Sequence, residues 1–362
     1  MSESTAPSAR RADATVLKFG GTSVADVAAL QRVAGLVRHA QRSTRPIVVV
    51  SALAGVTDAL LAAADAAASG DAETMRPQLD TLLERHANIA GRLARPEGAK
   101  GVQTVLGRAS GIGATLQSAT TTLGRGGSDY SAALVGAALS AAEIQIWTDV
   151  SGVLTADPRV VPGARTIPSL SYAEAAELAY FGAKVPHPKT IQPAMERDIP
   201  VRICNSHAPD DPGTVVTARG EMRAGAVKAI AHKTGVTVLQ ISSTRMLGAY
   251  GFLRGLFEVF ERHRTVVDVV TTSELSVSLT VDDARSLPDI VAELRCLGTV
   301  SVESSRAIVC VVGEGLRTTP VNLTFVVDEA RVREAVLRLH EALFERDGVA
   351  LDPAAAAREL AS

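Results

Sequence analysis

Apolar positions along the chain fall into two textures: short β-branched runs separated by long helical stretches in the first part, then closely spaced strands and shorter helices. Residues 16–19 form an apolar run that ends at Gly20-Gly21, after which Val27, Leu30, Val33, Ala34 and Val37 recur at helical spacing. This predicts strand, loop and helix. Pro46 then opens Ile47-Val48-Val49-Val50, an unbroken β-branched run ending at Ser51, which predicts a strand buried on both faces of a parallel sheet. A right-handed βαβ unit follows, with ligands expected beyond the carboxyl ends of its strands, where Gly20-Gly21 and Ser51-Ala52 fall.

Residues 58–95 read as helix, with Leu60, Leu61, Leu79, Leu82, Leu83, Ile89 and Leu93 as apolar faces around a break at Ser69-Gly70. A loop over 96–113, carrying Gly98, Gly101, Gly107 and Gly111, leads to a glycine cluster. A helix through Ala132, Leu134, Ala137 and Leu139 comes next, followed by a strand at 144–147, and the same α/β texture runs on to a strand at 201–204. Asp210-Asp211-Pro212-Gly213-Thr214 is a turn, and 217–225 a polar linker. Beyond it the pattern predicts strands at 236–241, 266–270, 275–281, 300–302, 308–312 and 323–327, with helices at 252–263, 287–297 and 332–344. That is a ferredoxin-like α+β module and part of a second.

Composition narrows the function classes. The 362 residues suit two or three domains. With 46% hydrophobic and 21% charged residues and a net charge of −2, there is no basic excess to suit nucleic acid, and 3% aromatics leaves little for base stacking. The polar segment 1–13 leads into no apolar run of signal-peptide length, and no later segment reaches the length of a membrane span, so a cytoplasmic location is expected. Cys204, Cys296 and Cys310 are odd in number and show no CxxC spacing, which predicts reduced, structural thiols.

Two glycine-rich segments carry candidate chemistry: Lys18-Phe19-Gly20-Gly21-Thr22-Ser23 and Thr122-Leu123-Gly124-Arg125-Gly126-Gly127-Ser128-Asp129. The first is not a Walker A loop, which places its lysine after the glycines, but the physical need is the same. Bare backbone N–H groups approach phosphate oxygens, and an ammonium neutralises developing charge. A buried strand end with a snorkelling lysine accounts for the first segment alone about as well. In the second, Arg125 offers a bidentate fork to a carboxylate, and Asp129 sits at a helix start, where a plain N-cap is the simpler reading. Trp147-Thr148-Asp149 through Arg159 follows a buried strand and suits a nucleoside and its phosphates, and Phe181-Gly182-Ala183-Lys184 adds a second lysine beside glycine.

These strings, together with SALAGVTDAL at 51–60, TTTLGRGGSDYSAAL at 120–134, WTDVSGVLTADPRVV at 147–161 and FGAKVPHP at 181–188, resemble the aspartate kinases of the amino acid kinase family, in family order. The resemblance implies a three-layer α/β sandwich with a mainly parallel sheet over 14–216, a linker at 217–227 and ferredoxin-like ACT modules over 228–345, with tails at 1–13 and 346–362. It implies transfer of the ATP γ-phosphoryl group to the side-chain carboxylate of L-aspartate. No general base is needed, because a carboxylate of reference pKa about 3.9 is already ionised; the obstacle is charge repulsion. Carried over position by position, Lys18 and Asp129 are catalytic. Lys18, Gly20, Gly21, Thr148, Asp149, Leu154, Arg159 and Lys184 bind ATP, while Ser51, Thr57, Arg125 and Gly127 bind aspartate. Magnesium comes with ATP, and no dedicated metal-ligand cluster is evident. An amino-acid effector, lysine first and threonine second, is expected at Met246, Gly251, Phe252, Leu253, Val267, Asp268, Thr272, Ser273 and Glu274, in a homodimer joined through the ACT modules.

The chain departs from that family in two places. Near 96–112 it lacks several elements and a substrate-binding glutamate, and near 318–322 a helix and strand of the second ACT module are missing. Two alternatives therefore stand beside the kinase: an impaired, ACT-bearing amino-acid sensor or regulatory subunit, and a kinase for another small carboxylate.

Overall fold

A computed structural model describes residues 12–93, 127–183, 185–186, 188–220, 227–247, 250–313 and 322–345. The missing-element readings near 96–112 and 318–322, Arg125, Lys184 and both tail segments fall outside the described residues, apart from Ala12 and Asp13 at the start. The chain divides into two units, one drawn from Met1–Val153, Thr166–Ala176 and Val185–Glu221, the other from Leu154–Arg165, Glu177–Lys184 and Met222–Ser362.

The first unit is built on a six-stranded sheet. Its strands are β1 (Ala12–Phe19), β2 (Arg45–Val50), β3 (Ala141–Thr148), β4 (Ser169–Ser171), β5 (Val201–Asn205) and β6 (Thr214–Thr217), in the order β2-β1-β3-β5-β6-β4. Every pairing is parallel except β5 with β6. Helices α1 (Val27–Ala40), α2 (Val56–Ala68), α3 (Ala72–Leu93) and α4 (Gly127–Leu139) belong here, and the break between α2 and α3 is Gly70 at φ +76°. Asp26 caps α1, its Oδ1 accepting from the Ala29 N–H at 2.8 Å. Leu17, Phe19, Val24, Val33, Trp147 and Cys204 form one buried cluster, with the Phe19 and Trp147 rings stacked 6.0 Å apart. Burial of a side chain of the Leu17 or Phe19 kind stabilises by roughly 1.5–3 kcal/mol.

One expectation for this unit is corrected. The run at 47–50 is parallel but not buried on both faces, since β2 is the edge of the sheet among the described residues and Val48 and Val50 are 41% and 57% exposed. A β-branched run fits the pleat of a strand wherever that strand lies, so its composition does not distinguish a central position from an edge.

The second unit is an antiparallel five-stranded sheet. Its strands are β7 (Ala229–Ser242), β8 (Val270–Thr272), β9 (Ser276–Val281), β10 (Thr299–Val312) and β11 (Asn322–Asp328), in the order β11-β10-β7-β9-β8. The helix α5 (Tyr172–Tyr180) starts in the first unit and ends in the second, and α6 (Pro188–Met195) belongs to the first. In the second unit α7 (Phe252–Arg262) and α8 (Leu287–Leu294) cover Leu239, Ile241, Val277 and Leu279. A separate core joins α9 (Val332–His340) to Ile230, Val309 and Val311. The segment Leu154–Arg165 contributes Ala156 and Val161 to that second core, where Thr155 Oγ1 lies 3.0 Å from His340 Nε2.

Three further sequence expectations shift here. The strands expected at 300–302 and 308–312 are one strand, β10, kept continuous by a register break between Glu303 and Ile308, with Ser305 at φ +58°. The strand expected at 266–270 begins only at Val270; before it, the Asp268 N–H donates to the Thr280 carbonyl, and Val269 accepts from the Thr280 N–H and donates to its hydroxyl oxygen. Cys204 and Cys310 are buried and their thiols pushed up to about 12 by desolvation, as structural thiols should be, whereas Cys296 is exposed and takes no part in a core.

Candidate active site

The carboxyl ends of β1, β2, β3 and β5 converge through backbone bonds. The Gly20 N–H donates to the Trp147 carbonyl (3.3 Å), Ser51 N–H to the Phe19 carbonyl (3.0 Å) and Ser206 N–H to the Thr148 carbonyl (2.9 Å). Ligands of parallel α/β sheets bind at such strand ends. Gly21 N-caps the short 3₁₀ turn Thr22–Val24 and lies tight against the next loop: a Cβ there would sit 3.0 Å from the Ala52 carbonyl oxygen and 3.4 Å from Ala54. Glycine is favoured here by close approach rather than by unusual φ, since its φ is −58°.

Lys18 is buried on β1, and its Nζ lies 2.5 Å from Oδ1 of Asp129 in the first turn of α4. Apart from that ammonium, the buried Oδ1 has no hydrogen-bond partner. Asp129 is thus more than a cap: α4 begins at Gly127 and its carboxylate is committed to the lysine. The ammonium is also near the glycine loop, 3.6 Å from where a Cβ of Gly20 would stand. A cation fixed at a strand end beside bare backbone, in a largely desolvated setting, is a strong electrostatic site for phosphate.

The remaining sequence candidates divide. Ser51 follows β2, Thr57 is exposed in the first turn of α2, Gly127 opens α4, and Thr148 donates from Oγ1 to Asp149 Oδ1 at 3.0 Å at the end of β3, all in the first unit. Leu154 and Arg159 belong to the second unit, where the Arg159 guanidinium, 84% exposed, grips Asp157 (Nη2 to Oδ2, 2.6 Å) and holds that carboxyl below its ordinary range. Sequence reading missed Ser23 and Ser206, whose hydroxyl oxygens lie 3.3 Å apart; Ser23 donates to the Trp147 carbonyl and Ser206 to that of Thr148. Ser206 lies just beyond the end of β5, and the strand-end rule applied to Gly20 and Ser51 was the signal that would have found it.

In the second unit, Met246 ends a 3₁₀ turn (Thr244–Met246), Gly251 caps α7 at φ +84°, and Met246, Phe252 and Val267 pack on the core beneath. Leu253 is exposed on α7, while Thr272, Ser273 and Glu274 are exposed at the β8–β9 hairpin, where the Ser273 hydroxyl oxygen is 2.8 Å from that of Ser276. The Asp268 carboxylate, 4% exposed, accepts from the Tyr180 hydroxyl and from Lys233 Nζ at 2.9 Å, and the same ammonium pairs with Asp282. Burial disfavours charge on Asp268, but the Tyr180 and Lys233 contacts outweigh it and leave the group below its ordinary range. Burial, with Asp268 beside it, pushes Asp282 up.

The amino acid kinase family model matches residues 13–95 and 99–205, and the chain belongs to that family. Within it, the relatives are aspartokinases. Chloroplastic aspartokinase 2 of Arabidopsis thaliana is 42% identical over 265 residues, covering 63% of this chain and 49% of its own length. Lysine-sensitive aspartokinase 3 of Escherichia coli K12 is 39% identical over 266 residues, 65% of this chain and 59% of its own. The chain therefore matches only about half the length of these curated relatives. The solved structure of E. coli aspartokinase III with aspartate and ADP superposes with a TM-score of 0.75 at 29% identity, over 91% of this chain and 99% of that one; the form with lysine and aspartate gives 0.75 over 92% and 100%. The fold class is that of these enzymes: a mainly parallel amino-acid-kinase sheet followed by an antiparallel ACT-type α+β region.

Proposed function

We propose that this chain is an aspartate kinase that transfers the ATP γ-phosphoryl group to the side-chain carboxylate of L-aspartate, giving 4-phospho-L-aspartate. The observation that carries the reading is the buried Lys18–Asp129 pair at the end of β1, beside Gly20-Gly21 and against the loop from Ser51 to Thr57. In this reading Lys18 offsets charge on the transferring phosphoryl group and Asp129 fixes its ammonium. Gly20 and Gly21 bring backbone N–H groups to the phosphates, while Thr148 and Asp149 take the nucleotide. Ser51, Thr57, Arg125 and Gly127 hold aspartate, and Lys184, Leu154 and Arg159 complete the ATP set. Magnesium supplies charge neutralisation on the triphosphate and is held mainly by its phosphates. The kinase portion is 14–216 and the effector portion 228–345, in a cytoplasmic enzyme; no described helix is long and apolar enough to cross a membrane.

ADP release measured with and without aspartate, with hydroxylamine trapping of the acyl phosphate, tests this. Turnover and hydroxamate that both require aspartate are expected. Turnover with another small carboxylate alone, or none in folded protein, would replace the reading with one of its alternatives.

Lysine is the proposed effector. The E. coli relative was solved with lysine, and in this chain Asp268 and Asp282 share one ammonium, that of Lys233, so this carboxylate pair suits an amine in its place. Lysine is expected to inhibit turnover and raise the melting temperature, and Asp268→Asn to abolish both effects. Unchanged lysine inhibition in that variant would remove Asp268 from the effector site. Exposed Leu247, Leu253, Phe257, Val266 and Leu275 in the same unit support a homodimer formed through it.

A further inference from the structure

Arg85 stands on α3, outside every motif that carries the family resemblance, and is half-buried. Its guanidinium donates through Nη1 to the Ala54 carbonyl at 2.8 Å and through Nη2 to the Ala25 carbonyl at 3.0 Å. Ala25 is the C-cap of the 3₁₀ turn that follows Gly20-Gly21, and Ala54 lies midway between Ser51 and Thr57. The two loops also meet directly, through the Ala54 N–H and the Gly21 carbonyl at 3.1 Å. Arg85 therefore spans the glycine loop at one end and the acceptor-loop candidate at the other, and both of its bonds run to backbone, which fixes where each chain passes. A planar fork with two bonds sets a distance between loops that a single donor leaves free.

We propose that Arg85 is a positioning residue for acceptor phosphorylation, holding the 51–57 loop in fixed register against the 18–25 loop so that the aspartate carboxylate meets the phosphoryl group. The proposal rests on the aspartate kinase reading. Arg85 touches neither substrate candidate nor Lys18; its effect runs through two carbonyls. A displacement of about 1 Å between reacting groups is enough to cost on the order of a hundredfold in rate.

The test compares Arg85→Ala and Arg85→Lys with wild type, varying aspartate and ATP separately and following amide hydrogen exchange. Both variants are expected to lose roughly tenfold to a hundredfold in kcat/KM for aspartate, with KM for ATP within about twofold of wild type. Added guanidinium ion should restore part of the activity of Arg85→Ala, and exchange should quicken in peptides over 22–26 and 51–57 but not over β3 or β5. Equal losses for both substrates, exchange that quickens across the whole unit, or no change at all would overturn the proposal. A folded wild-type chain with no aspartate-dependent turnover would instead overturn the kinase reading and the acceptor half of this one. The exchange measurement alone then decides whether Arg85 clamps the two loops.

Discussion

Replacing Lys18 with alanine is expected to lower kcat for ADP formation by roughly two to three orders of magnitude, the range found when one preorganised donor is removed from a developing charge. The lysine is buried, so water would screen its charge little at the proposed phosphoryl position, and no other cation in the described part of the first unit is placed to take its role at 2.5 Å from Asp129. The substitution also strands Asp129, whose side chain is only 17% exposed. The resulting loss of stability should be real but smaller than the roughly 3–5 kcal/mol of a fully buried pair, because some solvent reaches the carboxylate. Asp129→Asn and the double variant Lys18→Met with Asp129→Asn separate the two effects. The double variant should recover most of the melting temperature and none of the activity. A single Lys18→Ala enzyme that keeps more than a tenth of wild-type kcat would remove Lys18 from catalysis, and a double variant whose rate loss equals the sum of the two single losses would show that the pair does not act as a unit.

Gly152→Ala should sharply destabilise the first unit through the loop that follows Thr148 and Asp149. The residue sits at φ +96° in the stretch after Thr148 and Asp149, and a Cβ there would lie 2.4 Å from Thr214 Oγ1 and 2.8 Å from Thr214 N. Thr214 cannot yield easily. It is fully buried, and its hydroxyl donates to the Ile167 carbonyl at 2.6 Å and accepts from the Val153 N–H at 2.8 Å. Left-handed backbone on an L-residue costs about 1–3 kcal/mol and overpacking a tight site about another 1–3, so a total of roughly 2–6 kcal/mol is expected. At about 2–4 °C per kcal/mol for a domain of this size, the melting midpoint falls by roughly 4–24 °C. Gly35→Ala is the control of opposite sign: it lies inside α1 with no atom within 4 Å of where its Cβ would stand, and should stabilise by about 0.5–1 kcal/mol. Calorimetry on the two variants decides the matter, and midpoints for Gly152→Ala within a degree of wild type would show that the loop relaxes freely.

Much of this molecule was legible in the order of its residues. The strand, glycine loop and helix at the start, the break at Gly70, the strands β3 and β5 and the helices α7 and α9 all follow from local periodicity and from residues that set their own φ. Such signals are carried by neighbours in the chain and need no partner. The long motifs likewise identified the family, because a phosphate loop and its cation must be built from particular residue types in a short span. What the sequence did not determine was which distant groups meet. The same β-branched run reads alike in the centre or at the edge of a sheet, so the exposure of β2 came only from strand order. Asp129 looks like any N-cap until β1 brings Lys18 to it. Asp268 reads as an open carboxylate until the fold supplies Lys233 and Tyr180, and Leu154–Arg165 joins a core formed with β7 and α9 although its motif belongs with the nucleotide residues. Arg85 carried no local signal at all, since its role lies in two carbonyls on other elements. Those pairings depend on long-range register and strand order, which the packing of the whole sheet selects and no window of the sequence contains.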